Sequence, residues 1–283
     1  MDLSFQVPSP LDYFAALVRD DDGFPLLEAT AAVAMDEYAE LDVQTVLGEV
    51  DQLLARLRRR LPVDAPPLQR LRLLNQFFYH DLGFGGNINH YHDPDNSYLH
   101  VVLRTRRGIP ITLAILWLEL AQGLALQAKG INFPGHFMVK VNLPQGQVVI
   151  DPCTGQSLSR EELSQRLEPY KRRNGLVDDF DVPVGLYLQA AQPRDVLARV
   201  LRNLKEIHRT QEDWPRLIGV QDRLVLVLPD DGVERRDRGL AWAELGHPER
   251  AVPDLEAYLA QADDAADADA VGQRLNELRR TSS

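Results

Sequence analysis

The sequence predicts an α+β protein, mainly helical with one small antiparallel sheet, that ends in continuous helix. Three observations carry this. Apolar residues recur at three- and four-residue spacing from Leu11 to about Leu82, a single alternating stretch surrounds Phe137 to Ile150, and the chain from Gln192 onward has helical texture throughout. At 283 residues, 45% hydrophobic and 26% charged, the chain buries a sizeable core in one or two domains.

Each element follows from local pattern. Val46, Val50, Leu53, Leu54 and Leu57 form one amphipathic stripe, and Leu68, Leu71, Leu74 and Phe78 form a second, with Pro62 to Pro67 separating them. Gly83-Phe84-Gly85-Gly86-Asn87 ends the second helix with residues that tolerate left-handed backbone. Asn87 to Asn96 is dense in turn formers, and Ser97 is expected to cap a helix from Tyr98 to Arg107, which Gly108 ends. Pro110 suits the first turn of the next helix, whose stripe is Leu113, Leu116, Leu120 and Leu124; apolar on nearly every side, it should run through the core. Phe137, Val139 and Val141 alternate with polar neighbours, and Leu143-Pro144-Gln145-Gly146 turns the chain back into Gln147 to Ile150, a two-strand hairpin with few further strands expected. Short helical pieces are expected over 156 to 183, with Ser159 as an N-cap. From Gln192 a faint self-similarity has a period of about 34 residues, the length of a tetratricopeptide repeat. It aligns Asn203-Leu204-Lys205 with Asp237-Arg238-Gly239, Trp214 with Pro248, Leu217 with Ala251 and Pro229 with Asp263.

Composition excludes several functions. The longest apolar run, Ile109 to Leu118, is too short to cross a bilayer, and the N-terminal residues lack the basic start and apolar core of a signal peptide, so a cytoplasmic protein without membrane partners is expected. A net charge of -11 argues against nucleic-acid binding and favours basic or neutral partners. One cysteine, Cys153, can form neither an internal disulfide nor a multi-cysteine structural zinc site. His90, His92, Asp93 and Asp95 carry metal-ligating groups, but their spacing is not diagnostic and a packed turn explains them; no metal or cofactor is expected.

The order helix, strand His, strand Asp is that of a papain-like thiol site. There the nucleophile sits at a helix N-terminus, a strand His takes its proton, and an Asp or Asn orients the His. His136 and Asp151 occupy the same end of the hairpin and fill two of the three roles. The facing helix start offers Gly108, Ile109, Pro110, Ile111 and Thr112, none of them a thiol.

Six stretches together resemble the bacterial SirB-type, YchA-like proteins. They are Gly83 to Asn87, Tyr91 to Leu99, Arg107 to Leu113, Phe133 to Phe137, Ile150 to Pro152 and Arg236 to Leu240. The resemblance covers nearly the whole chain and implies a transglutaminase-like domain followed by tetratricopeptide-like helices, here drawn as 1–185 and 186–283. The wider transglutaminase-like pattern puts its Cys at Pro110 or Ile111, its His at His136 and its Asp at Asp151. The nucleophile is therefore missing, and an oriented His with nothing to deprotonate cannot carry out covalent acyl transfer.

The sequence accordingly points to a catalytically degenerate transglutaminase-like protein that recognises a protein or peptide. Asn87, Tyr91, Asn96, Ser97 and Cys153 are the candidate ligand-binding residues around the remnant pair His136 and Asp151. The alternative is an atypical amide or ester hydrolase using His136 and Asp151 with water or with the Thr112 hydroxyl.

Overall fold

Pro110–Gly123 (α6) is the axis of the first of two compact units, and eleven of its residues are buried, from Pro110 to Ala121. The structure is a computed structural model that describes residues 8–21, 24–176, 183–261 and 265–281. Its described part is mostly helical with one four-stranded antiparallel sheet.

One unit comprises Leu26–Ala34 and Glu40–Val196. Its helices are Leu26–Ala32 (α2, following α1, Pro10–Leu17), Val43–Arg58 (α3), Pro67–Asn75 (α4), Leu99–Thr105 (α5), α6 and Arg160–Arg173 (α7). Asp42 caps α3 by accepting the Gln44 amide, and the stripe Val46, Val50, Leu53 and Leu57 is buried as the periodicity requires. Beyond α4 the chain widens into a π-helical turn, Gln76–Asp81, that buries Phe77 and Phe78. Gly83 then takes the left-handed conformation.

One capping expectation is corrected. Tyr98, not Ser97, precedes α5, and it makes no side-chain cap bond. Ser97 instead closes a one-turn 3-10 helix, Pro94–Ser97, whose cap is Asp93, accepting the Asp95 amide at 3.0 Å. The helix also stops at Thr105, where Arg106 turns left-handed with its guanidinium over the Phe84 ring.

Gly85–Gly86 (β1) and Arg107–Gly108 (β2) form a short parallel pair. The main sheet runs Gln127–Ile131 (β3), Met138–Leu143 (β4), Gly146–Ile150 (β5) and Ser157–Leu158 (β6), each antiparallel to the next. The hairpin is β4 and β5; the strands on either side of it are additions to the sequence reading. Ile131, Phe133, Met138, Val149, Leu163 and Leu167 form the core under α7. Ser159 caps α7 in a reciprocal box with Glu162.

The other unit comprises the described residues of Met1–Pro25, Met35–Ala39 and Leu197–Ser283. Its helices are Pro193–Thr210 (α8), which begins four residues before the unit does, Trp214–Val227 (α9), Gly232–Glu244 (α10), Pro248–Leu259 (α11) and Ala268–Thr281 (α12). Trp214 and Pro248, aligned by the 34-residue period, are the first residues of α9 and α11. Asp263, aligned with Pro229, lies outside the described residues. α1 packs on α9, with Phe14 fully buried.

Candidate functional site

Strand register explains why distant residues meet. Val139 pairs with Ile150 as the last register position of the hairpin, so the residues just before β4 and just after β5, His136 and Asp151, emerge at the same end of the sheet. The strands stop short of this point because both chains turn. Gly135 has a left-handed φ of 74°, and the His136 amide donates to the Phe133 carbonyl at 3.2 Å. On the other side the Thr154 and Gly155 amides donate to the Asp151 carbonyl at 3.2 and 2.8 Å. Two backbone-braced turns thus present His136, Asp151 and Cys153 at one end of the hairpin.

His136 Nε2 lies 3.0 Å from Asp151 Oδ1. The same oxygen accepts the Cys153 amide at 2.9 Å, while Oδ2 accepts Arg166 Nη1 from α7 at 3.0 Å. Burial by itself would raise the Asp151 carboxyl, but the His136 bond and charge, the Cys153 amide and the Arg166 guanidinium outweigh it and hold the group at about 2. With Nε2–H facing a carboxylate, Nδ1 is left as the basic nitrogen. The imidazole is a quarter exposed and the carboxylate only 8% exposed. Arg166 was not singled out from sequence; it sits in a polar, basic helix where no local pattern marks one arginine over another.

Cys153 is half-buried. Burial and the neighbouring Asp151 carboxylate push its thiol up to about 12 despite Arg166. Gly86 makes room for it, since a Cβ there would lie 3.1 Å from the sulfur. Tyr79 donates its hydroxyl to the Pro152 carbonyl at 3.2 Å, and burial raises its phenol well above the usual range. The donor atoms of His136, Asp151 and Cys153 all lie within 4.8 Å of one another, the one such convergence of three or more His, Cys, Asp or Glu side chains among the described residues.

The remaining candidates form an adjoining network. Asn87 Nδ2 donates to Asn96 Oδ1 at 2.9 Å, and Asn96 Nδ2 donates to the His90 carbonyl at 2.6 Å and toward Tyr91 at 3.4 Å. The Asn96 carbonyl accepts the Ile109 amide and the Thr112 hydroxyl, the latter at 2.8 Å; Thr112 also reaches the Ile109 carbonyl at 3.1 Å. Ser97 and Thr112 are fully buried, while the Tyr91 ring is exposed and meets His92 edge-on. The two networks adjoin at Gly86, whose amide donates to the Cys153 carbonyl, and Asn87, whose amide donates to the Gly108 carbonyl. At the start of α6, where the thiol pattern would place its nucleophile, Ile109 and Ile111 are 2% and 3% exposed.

The helical unit carries its own concavity. A groove of about 910 Å³ is lined by α8, α9 and α10. Trp214, Leu217, Leu240 and Ala241 form its apolar part, and Lys205, paired with Glu234 and Asp237, forms part of its polar wall. Gln221, 1% exposed, lines it with an Oε1 that has no hydrogen-bond partner. Of the basic runs, Arg58 donates to the Gly123 carbonyl, Arg60 to Asp81 and Arg107 to the Gly83 carbonyl, so these cations serve the fold. No helix among the described residues is long and apolar enough to cross a membrane.

Comparison with known proteins finds two family models in succession along the chain. The model of the transglutaminase-like superfamily matches residues 44–202, and that of the tetratricopeptide repeat matches 204–276. A UPF0162 protein of Xylella fastidiosa (strain Temecula1) is 36% identical over 242 residues, covering 85% of each chain. UPF0162 protein PA3419 of Pseudomonas aeruginosa is 28% identical, covering 89% of this chain and 90% of that one. UPF0162 protein YchA of Escherichia coli K12 is 24% identical, covering 90% and 93%. Among solved structures, menin, whose crystal structure is described as revealing the binding site for Mixed Lineage Leukemia protein, aligns at a TM-score of 0.41 with 11% identity, over 87% of this chain and 68% of that one. A likeness that slight carries no argument.

Proposed function

We propose a function from one premise: the chain belongs to the UPF0162, YchA-like family, with a transglutaminase-like core and a tetratricopeptide region. Its role is non-covalent recognition of a protein or peptide segment, with the transglutaminase-like core retained as a scaffold and not as a thiol enzyme. The observation that carries this reading is the start of α6, where the nucleophile's place is filled by Ile109, Pro110 and Ile111, all buried. A covalent acyl intermediate needs an ionisable attacking atom beside the oriented imidazole; this helix start presents none, and the nearby Cys153 thiol, on the turn after Asp151, is pushed up to about 12 by burial and the Asp151 carboxylate.

Recognition is assigned to the groove between α8 and α10. Apolar residues flanked by paired charges suit a peptide that buries one or two large side chains and keeps polar ends solvated, and Gln221 offers an acceptor for one of its N–H groups. The reading is tested by capture of partners from lysate with the wild-type chain and two variants. Leu240→Arg should abolish capture and His136→Ala should leave it unchanged. Capture lost on His136→Ala but kept on Leu240→Arg would overturn the assignment to the groove.

One observation favours a second reading, hydrolysis of an amide or ester by water. His136 is both oriented by Asp151 and a quarter exposed, so the imidazole is open to water. Thr112 gives this reading little help, because its hydroxyl is fully buried and committed to two carbonyls. Turnover of acyl substrates that disappears in His136→Ala would establish hydrolysis and displace the first reading.

A further inference from the structure

We propose that His136 Nε2, Asp151 Oδ1 and Cys153 Sγ form a three-ligand site for a borderline-soft divalent transition metal of the zinc class. The proposal stands on the hairpin end alone and does not depend on what occupies the helical groove.

Geometry comes first. A tetrahedral zinc ion, bound at about 2.0 to 2.3 Å, holds its donors about 3.5 Å from one another. Here the imidazole nitrogen and carboxylate oxygen are 3.0 Å apart, and all three donors lie within 4.8 Å. The backbone that carries the three side chains is already braced by its own bonds, at Phe133–His136 and at Asp151–Gly155, so the donors are held together at one place.

Chemistry selects the class of ion. One nitrogen, one oxygen and one sulfur donor suit zinc and its neighbours, whereas calcium and magnesium require oxygen shells. Three protein ligands leave a fourth position, and the partial exposure of His136 lets water fill it, the arrangement of a reactive and not a closed structural zinc site. The supporting shell is also present. Arg166 holds the second Asp151 oxygen and the Cys153 amide braces the first, while Gly86 leaves space beside the sulfur that any larger residue would invade.

The proton balance is explicit. The hydrogen on Nε2 now shared with Asp151 gives way to the metal, and the neutral imidazole carries its proton on Nδ1. The thiol proton leaves to solvent as the thiolate binds, so one proton is released per ion. Nothing is oxidised or reduced.

The test uses the full chain, freed of metal by a chelator and titrated with cobalt(II) as the probe. Because Cys153 is the only cysteine, a sulfur-to-cobalt charge-transfer band in the near ultraviolet has one protein source. The expected result is such a band saturating at one equivalent, accompanied by the strong visible bands of four-coordinate cobalt. Cys153→Ser should abolish the ultraviolet band, and His136→Gln should weaken binding roughly tenfold or more. His136 is partly exposed, so the second variant decides the matter even if the first does not fold. Absence of the band in the wild type, or cobalt affinity unchanged in His136→Gln, would overturn the site.

Discussion

Asp151 is the residue on which the hairpin end depends, since His136, Arg166 and the Cys153 amide all meet its two oxygens. Its folded value of about 2 lies below the ordinary carboxylate value of 3.8, so the group stabilises the fold above about pH 4 and that contribution is lost as pH falls through about pH 2. The difference corresponds to about 2 kcal/mol. Urea midpoints measured between about pH 5 and about pH 2 should therefore fall more steeply for the wild type than for Asp151→Asn, and equal slopes would mean the carboxylate is not held down. Asp151→Asn should also cost about 1–3 kcal/mol near neutrality, because a buried acceptor of three donors is weakened. The neighbouring thiol gives a kinetic prediction. Raising Cys153 from 9.0 to about 12 lowers its thiolate fraction roughly a thousandfold, so iodoacetamide should alkylate the metal-free folded chain far more slowly than the urea-unfolded chain. Comparable rates would show an exposed, unperturbed sulfur.

At the scale of elements, helix packing in the repeat region turns on Gly239. A Cβ there would come within 2.8 Å of Leu255 Cδ2 and 3.1 Å of the Ala251 carbonyl, and Leu255 is fully buried on the facing helix α11. Gly239→Ala should thus destabilise this unit by about 1–3 kcal/mol through overpacking, even though alanine favours an isolated helix by about 1 kcal/mol. A thermal melt that moves upward would show that α10 and α11 are less tightly apposed. The 34-residue offset, which aligns Leu217 with Ala251, made a repeated helix packing legible in the sequence. Amphipathic stripes and the β4–β5 hairpin were equally legible, because burial on one face writes a period into the chain. β3 was not, since Gln127, Lys129 and Gly130 disguise it. Gly130 is required there because the Phe137 ring occupies the place of its side chain, at 2.6 Å from a Cβ. Asp93 acting as a cap one turn ahead of Ser97 was hidden for a different reason: Asp and Ser are both good caps, and only the 3-10 turn between them decides which is used. The His136–Asp151 pair could be read from hairpin polarity alone, whereas Arg166 arrives from a helix whose sequence says nothing about its target.

For the whole molecule, sequence order and compact units part company at the N-terminal end. The periodicity of Leu11 to Leu17 shows that a helix forms there but not which unit receives it. The receiving unit is the one formed by the C-terminal helices, through a buried cation. Arg223, 2% exposed in α9, pairs with Asp36 and the Gly219 carbonyl, yet its Nε and Nη2 have no hydrogen-bond partner. The ring of Phe14 covers the guanidinium at 5.4 Å and offers its negative face in place of those bonds. Phe14→Leu, which keeps most of the apolar volume and removes the ring, should therefore cost about 1–2 kcal/mol, and Phe14→Ala about 3–5 kcal/mol through the added cavity. The loss should appear as faster amide exchange across Trp214–Val227, with protection of β3 to β5 preserved, because those strands belong to the other unit. Exchange that accelerates in the sheet and not in α9 would place the first helix with the transglutaminase-like core, and the ring would then have no part in holding Arg223.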